Sequence, residues 1–276
     1  FDRMIIESSG WDTSASALET SASAQMNQLS SIHTSLDCTT GGDIDKLACM
    51  RGKTWEDTLD LTAANTNVSQ VMPVIDIAAS ADPLFVHPAL TGQPIDLIRQ
   101  GKFNKVPIIL GHNEMETRLD DYYTGSSQST VMETFTESKL KNMLGTFAET
   151  LIPEGADPGP VVAKLISLYP VRKGGSFETN YDVYTAVTSD GGVGFGTWAL
   201  ATELAEQNVL VWNYVFRAAP TYLSEWGAMD LTELAFVFED PEFFVGNWTK
   251  WTAQDDIVSD LVQDYWVNFA STAVPN

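Results

Sequence analysis

Residues 106–113 read Val-Pro-Ile-Ile-Leu-Gly-His-Asn, and this stretch decides the fold class. The apolar run over 106–110 does not alternate with polar residues, which is typical of a strand buried on both faces of a sheet. A second such run, VLVWNYVF, spans 209–216, and the pattern over 198–207 predicts a helix before it. A helix that leads into a buried strand indicates an α/β fold, in which crossover helices pack on a parallel sheet.

Outside these runs the sequence predicts mainly helices. Residues 1–9 read as a short strand followed by a turn, and 71–76 as a short extended run. Asp43 is the expected cap of one short helix, and residues 54–57 begin the next. Helices are predicted over 14–35, 42–50, 54–63, 130–150, 158–169 and 255–271. Two or three strong strands are few for so many helices, so either several strands escape recognition or part of the sheet belongs to another segment.

Composition excludes several classes of function. The chain has 276 residues, 44% of them apolar, which is enough for a large buried core. With 15 Lys and Arg against 37 Asp and Glu, its net charge of −22 should repel nucleic acid and anionic membranes. No apolar run approaches the roughly 18 residues that would span a bilayer. The chain opens on Phe1 rather than Met, and we expect it to be the middle of a longer product.

No cofactor or metal is expected from the sequence. The glycines at 191–196 lack the spacing of a nucleotide-binding loop, and we interpret this segment as a loop near a pocket. Asp120 and Asp121 are expected in a solvated turn, with too few oxygen ligands nearby for a cation. The acidic residues within 239–242 could bind a hard cation, but a surface loop is the expected interpretation.

The cysteines and two sequons favour an oxidising compartment. Cys38 and Cys49 are separated by ten residues, so they could form a disulfide or remain two buried thiols. Asn67 and Asn247 each begin an Asn-x-Ser/Thr sequon, the acceptor of N-glycosylation in secreted proteins. Together with the even cysteine count, the sequons favour a secreted or extracellular protein, or one of the secretory-pathway lumen, over the alternative of a cytosolic enzyme with inert thiols.

Several blocks, in order, resemble the C-terminal half of the type-B carboxylesterase and cholinesterase family. The blocks are residues 1–10, 38–51, 73–76, 101–111, 168–170, 189–190, 209–216, 233–238 and 266–276. The resemblance implies an α/β-hydrolase fold, a doubly wound and mostly parallel sheet flanked by helices. It also implies that residues 1–276 form the C-terminal half of one domain, completed by an N-terminal segment outside this chain. Cys38 and Cys49 then match the family's small disulfide loop.

The family's chemistry is acyl transfer by a Ser nucleophile, a His base and an acid that orients the His. The nucleophile's Gly-x-Ser-x-Gly pattern does not occur in these 276 residues, and the resemblance places it upstream. Glu116 takes the position of the acid, although Thr117 stands where the family usually has Gly.

The base position departs from the family pattern. The block that should contain the His reads Gly227-Ala228-Met229-Asp230, with Asp230 at the His position. A carboxylate with an ordinary pKa near 4 is a far weaker base than an imidazole, and its neighbour Glu116 is another carboxylate. Of the three histidines, we expect His33 in a solvated helix and His87 in a structural loop. His112, four residues before Glu116, is the candidate substitute base, in an orientation new to the family.

Two functional hypotheses follow. The first is a secreted, cholinesterase-like protein that is catalytically inactive and serves adhesion, assembly or ligand binding. Its expected partners are the N-terminal half of the same domain and proteins of an extracellular assembly. The alternative is an active carboxylic ester hydrolase whose nucleophile lies in a separate N-terminal chain and whose base is His112 or an upstream residue.

Overall fold

The computed structural model describes residues 1–8, 34–57, 91–125, 127–243 and 251–276. The chain forms two compact units, one of residues Ser16–Phe103 and one of Phe1–Ala15 with Asn104–Asn276. Most of the helix predicted over 14–35 and the extended run at 71–76 lie outside the described residues. So do His33, His87, Asn67 and Asn247.

A parallel sheet of three strands organises the larger unit. Its strands are β1 (Met4–Glu7), β2 (Ile108–Asn113) and β3 (Val211–Phe216), in the order β1-β2-β3. Met4 pairs with Ile108, which pairs with Val211, so the three strands start in register and end at the same edge. All six residues of β2 are buried, as expected for the central strand of an α/β sheet. The α/β prediction is therefore confirmed.

Ten α-helices are described in the two units. Their bounds are α1 Asp43–Arg51, α2 Pro94–Arg99, α3 Arg118–Tyr123, α4 Gln128–Thr134, α5 Glu137–Glu149, α6 Gly159–Leu168, α7 Asn180–Ser189, α8 Phe195–Glu206, α9 Thr232–Val237 and α10 Ala253–Thr272. A π-helical turn, Asp190–Gly194, joins α7 to α8, and a 3₁₀ turn spans Thr221–Leu223. In the part of the chain that the structure describes, no helix combines the length and apolarity that a membrane crossing requires.

Helices cover both faces of the sheet. On one face α10 packs through aromatic side chains, since Trp266 meets Tyr214 and Phe269 meets Trp212. Phe236 of α9 extends this contact to Phe216. On the other face, α8 lies against β2 and β3. A second core, in which Leu140, Leu144 and Tyr181 are buried, joins α5 and α7.

Several predicted elements need correction. The central strand covers Ile108–Asn113 rather than 106–110, because Gly111, His112 and Asn113 continue its pairing with β3. The helix predicted over 130–150 is two helices, α4 and α5, which break at Phe135 and Thr136. Thr136 caps the second of these by accepting a hydrogen bond from the Lys139 N–H.

Burial and helix starts also differ from expectation. Only Phe216 of β3 is fully buried, because β3 is an edge strand of the described sheet and Val215 on its α8 face is 44% exposed. Asp120 and Asp121 lie in the first turn of α3 rather than in an isolated turn. The glycine-rich segment is not a loop, because the π-helical turn carries α7 directly into α8.

The smaller unit contains the disulfide. The Cys38 and Cys49 sulfurs are bonded, which confirms the bridge, and Cys38 is buried. Cys49 lies in α1, whose N-cap is Gly42 rather than the predicted Asp43. The Asp45 carboxylate accepts from the Gly42 N–H at 2.9 Å, so the capping carboxylate is in the first turn. At Thr54 the predicted helix start is confirmed by reciprocal bonds with Asp57.

Candidate active site

Glu116 lies in the turn between β2 and α3, at the carboxyl edge of the sheet. Its Oε1 accepts from the backbone N–H of Asn113 at 2.6 Å and from the Ser8 hydroxyl at 2.7 Å. Glu116 is buried, with only 5% of its surface exposed. Parallel strands that end at one edge bring such turn residues together, which is why open α/β sheets place their sites there. The structure therefore places the predicted acid at the edge of the sheet where the sites of open α/β folds lie.

Backbone hydrogen bonds bring Asp230 to the same place. The Met115 N–H donates to the Ala228 carbonyl at 2.8 Å, and the Asp230 N–H donates to the Glu116 carbonyl at 3.3 Å. Leu231, directly after Asp230, has a left-handed backbone with φ of 67°. This conformation is uncommon for a branched residue and turns the chain into α9.

The Asp230 and Glu116 carboxyls form a hydrogen-bonded pair. Burial raises the pKa of both groups, and the Asp230 charge raises that of Glu116 further. The hydrogen bond with Glu116 partly opposes the rise of the Asp230 pKa. Two neighbouring carboxyls whose charges repel favour a state in which they share one proton. The structure thus brings the two predicted site residues together as an acid–acid pair.

Three further polar residues at this site escaped the sequence prediction. Ser8 lies between Glu116 and Glu233, since its hydroxyl donates to Glu116 and also lies 3.5 Å from Glu233 Oε1. Asn113 donates its side-chain amide to the Ser8 oxygen at 3.3 Å and to Glu233. Burial raises the pKa of Glu233 to about 7, although the Asn113 amide opposes the rise. Position at the end of a parallel strand is the sequence signal that could have found two of these residues, because Ser8 follows β1 and Asn113 ends β2.

Arg118 is a structural support that the sequence prediction also missed. Its guanidinium is buried and binds the Asp182 carboxylate at 2.6 Å. It also donates to the Trp226 carbonyl at 3.1 Å and to Thr185 at 3.3 Å. Asp182 is at the same time the capping-box residue of α7. Arg118 thereby ties the Glu116 turn both to α7 and to the chain that leads to Asp230.

His112 lies on the opposite face of β2 from this cluster. Side chains of adjacent strand residues point to opposite faces, and the Asn113 side chain reaches Ser8 and Glu233. The His112 ring instead packs beside Gly194 of the π-helical turn, and its Nδ1 lies 2.9 Å from the Asn113 carbonyl. Within the described residues no hydrogen bond joins the ring to Glu116. The structure therefore does not bring His112 to the acid–acid pair.

A cavity of about 230 Å³ opens beside the pair. Ser8, Glu116, Asp230 and Asp120 contribute its polar wall, and Thr117, Leu119 and Val193 complete it. Val193 comes from the glycine-rich segment, so the expected position of that segment near a pocket agrees with the lining. In the described ranges no group of three or more His, Cys, Asp or Glu side chains is arranged to hold a metal ion.

Comparison with known proteins identifies the family. The model of the carboxylesterase family matches residues 1–276. The acetylcholinesterase of Electrophorus electricus is 23% identical over an alignment of 275 residues, which covers 87% of this chain and 41% of that protein. The chain thus spans about two fifths of the length of this relative. With a family match over its whole length and a parallel sheet flanked by helices, the chain belongs to the carboxylesterase family of α/β-hydrolases.

Proposed function

We propose that this chain is part of an extracellular, cholinesterase-like protein that does not perform Ser-His-Glu acyl transfer and keeps the hydrolase fold for binding or assembly. One observation carries the proposal: Asp230, which the resemblance puts at the family's imidazole position, is held beside Glu116 by a hydrogen bond from its backbone N–H to the Glu116 carbonyl, and its carboxyl interacts with the Glu116 carboxyl. The family match supports the fold, and the site argues against the family's reaction.

The chemical argument concerns proton transfer. In the family's reaction the base takes a proton from Ser, becomes a cation, and later returns the proton to the leaving group. The acid stabilises that cation. A carboxyl base never becomes cationic, so a charged Glu116 beside it would repel it instead of stabilising it. The shared proton also leaves the pair a poor acceptor for a further proton.

The wider domain is part of the same proposal. In the described sheet β1 pairs with β2 alone, so its other edge is open to a further strand. We propose that residues 1–276 complete a single domain together with an upstream segment that carries the nucleophile position. The partial coverage of the acetylcholinesterase relative supports this arrangement.

The test uses the full-length protein. Fluorophosphonate labelling and turnover of short-chain esters are measured for the native protein and for Asp230→His. We expect neither labelling nor turnover in the native protein. If the upstream Ser is intact, Asp230→His should gain at least about 10²-fold in turnover, the usual contribution of a general base.

Two control variants make the test specific. Asp120→His puts an imidazole on the wall of the same cavity but away from Glu116's partner position, and it should gain nothing. Adding Glu116→Gln to Asp230→His should remove most of the gain, because Gln cannot stabilise the imidazolium. Rapid turnover by the native protein that disappears in His112→Ala would refute the proposal and support the active hydrolase.

Extracellular location has a separate test. The Cys38–Cys49 disulfide is compatible with an extracellular protein. We propose that Asn67 and Asn247 carry N-linked glycans. Protein from its natural source should lose mass on enzymatic deglycosylation, with the glycans located at these two residues by peptide mass spectrometry. An unglycosylated protein with reduced cysteines would contradict the proposed location.

A further inference from the structure

Four carboxyl groups from three segments of the larger unit lie near one another at the carboxyl edge of the sheet, and two of them, Glu116 and Asp230, line the cavity. Glu7 ends β1, Glu116 follows β2, Asp230 precedes α9, and Glu233 lies within α9. Ser8 lies between them, hydrogen-bonded to Glu116 and 3.5 Å from Glu233. This cluster therefore connects segments that lie more than one hundred residues apart in the chain.

Neutral donors make the remaining contacts of the cluster. The Asn113 amide bridges Ser8 and Glu233, and it is fully buried. The indole N–H of Trp266, from α10, donates to Glu7 Oε1 at 2.6 Å. Neutral donors of this kind hold a carboxyl in place but do not cancel its charge.

No described Lys or Arg neutralises these carboxyls. Arg118, two residues from Glu116, is bound to Asp182. Arg217 pairs at 3.1 Å with Glu114, and both of these side chains are exposed. Buried charges without a counterion are costly, and like charges in a poorly solvated site repel strongly. If all four carboxyls were ionised, their mutual repulsion would therefore weaken the contacts between the segments that carry them.

The other titratable groups around the cluster add no positive charge. From β3 the Tyr214 phenol faces Glu7, Glu116 and Glu233, and burial together with these carboxyls raises its pKa, so it remains a neutral hydroxyl. From α3 Asp120 adds negative charge towards Asp230. The α10 contact, Trp266, does not titrate. His112 lies on the opposite face of β2.

We propose that this cluster is a pH-sensitive clasp, which holds β1, the β2–α3 turn and α9 together while its carboxyls share protons and which loosens the cavity wall as they ionise. The inference does not depend on whether the protein turns over esters, since it concerns folding and local opening.

The direction of the pH dependence follows from the carboxyl groups. Burial raises the pKa of Glu7, Glu116 and Asp230, and it raises that of Glu233 from 4.5 to about 7. A carboxyl whose pKa is raised on folding favours the folded state most below its unfolded pKa, and that contribution is lost as pH rises through the folded pKa. The clasp is thus closed near pH 4.5 and opens on the approach to pH 7 and above.

Hydrogen exchange on the full-length protein at pH 5, 6, 7 and 8 tests the clasp. After correction for intrinsic exchange rates, protection of peptides that contain Met4–Glu7 and Thr232–Val237 should fall at least tenfold between pH 5 and pH 8. The Tm should fall by several degrees over the same range. Protection and Tm that do not change with pH would overturn the proposal.

Glu233→Gln identifies the cluster as the cause. The amide is uncharged at every pH and can still accept from Asn113, so this variant should show less than half of the native fall. Glu149→Gln, an exposed change on α5, should keep the native fall. If Glu233→Gln follows the native pH dependence, the clasp is refuted.

A spectroscopic readout covers the case in which Glu233→Gln does not fold. The native protein at pH 6 should show the infrared C=O stretch of buried, protonated carboxyls, and this band should disappear by pH 8. Absence of the band at pH 6 would overturn the proposal without any variant.

Discussion

The two faces of β2 place neighbouring residues in different surroundings. On one face Gly111 and Asn113 meet the Tyr214 ring, Ser8 and Glu233 in a tightly packed, carboxyl-rich region. On the other face His112 packs beside the glycines of the π-helical turn. The strand alternation that separates these residues keeps the imidazole away from the acid Glu116. A histidine four residues from the acid in sequence is therefore not its partner in space.

The largest loss of stability is expected from a methyl group added at Gly111, on the crowded face of β2 that carries Asn113. A Cβ at Gly111 would lie 2.2 Å from the nearest atom of the Tyr214 ring, which is itself packed against Trp266. We expect Gly111→Ala to lower the free energy of unfolding by about 3 kcal/mol, as overpacking of a rigid core does. The measurement is chemical denaturation of the full-length protein.

Two other glycines serve as references for that variant. At Gly194, on the opposite face, a Cβ would lie 3.2 Å from the Ser189 carbonyl oxygen and 3.3 Å from the His112 ring, so Gly194→Ala should cost clearly less. At Gly145, within α5, a Cβ meets nothing within 4 Å, and Gly145→Ala should stabilise by about 0.5–1 kcal/mol. Equal costs at Gly111 and Gly194 would mean that the two faces are equally tight.

The next largest loss of unfolding free energy is expected at the adjacent polar residues His112 and Asn113. Asn113→Leu removes the amide that lies between Ser8 and Glu233, and we expect a loss of about 2 kcal/mol because buried acceptors lose their donor. His112→Leu removes one contact with a neighbouring backbone carbonyl and should cost about 1 kcal/mol. Both values come from denaturation at pH 7.

The pH dependence separates these two variants further. The Asn113 amide lowers the pKa of Glu233, so its removal raises that pKa and makes ionisation more costly in the folded state. The loss in Asn113→Leu should therefore increase from pH 5 to pH 8. A loss that stays constant with pH would show that Asn113 acts by packing alone.

The smallest effect belongs to the π-helical turn. The Tyr169 hydroxyl donates to the Asp190 carboxylate at 2.7 Å, in a largely exposed position. Tyr169→Phe should cost about 0.5 kcal/mol, the lower limit for a single hydrogen bond. Tyr123→Phe, at a ring that is 66% exposed, is the matched control and should be neutral. If Tyr169→Phe lowered the free energy of unfolding by more than His112→Leu does, the π-helical turn would be a principal support of the His112 face of β2.

Much of the larger unit could be predicted from local patterns. The apolar runs predicted β2 and β3, and the block alignment predicted that Glu116 and Asp230 would share one site. Burial was harder to predict, because VLVWNYVF reads as a central strand although β3 is an edge of the described sheet. The break between α4 and α5 was also missed, since capping by Thr136 interrupts an otherwise continuous helical pattern.

The sequence by itself determined the α/β class and the family resemblance, and it predicted Asp230 at the position of the family's histidine. These depend on residue types in order along the chain. Only the tertiary structure decided that His112 lies away from Glu116, and that Ser8, Asn113 and Glu233 join the acid–acid pair. The physical reason is that parallel pairing brings the ends of distant strands to one edge, while alternation along β2 sends adjacent side chains to opposite faces.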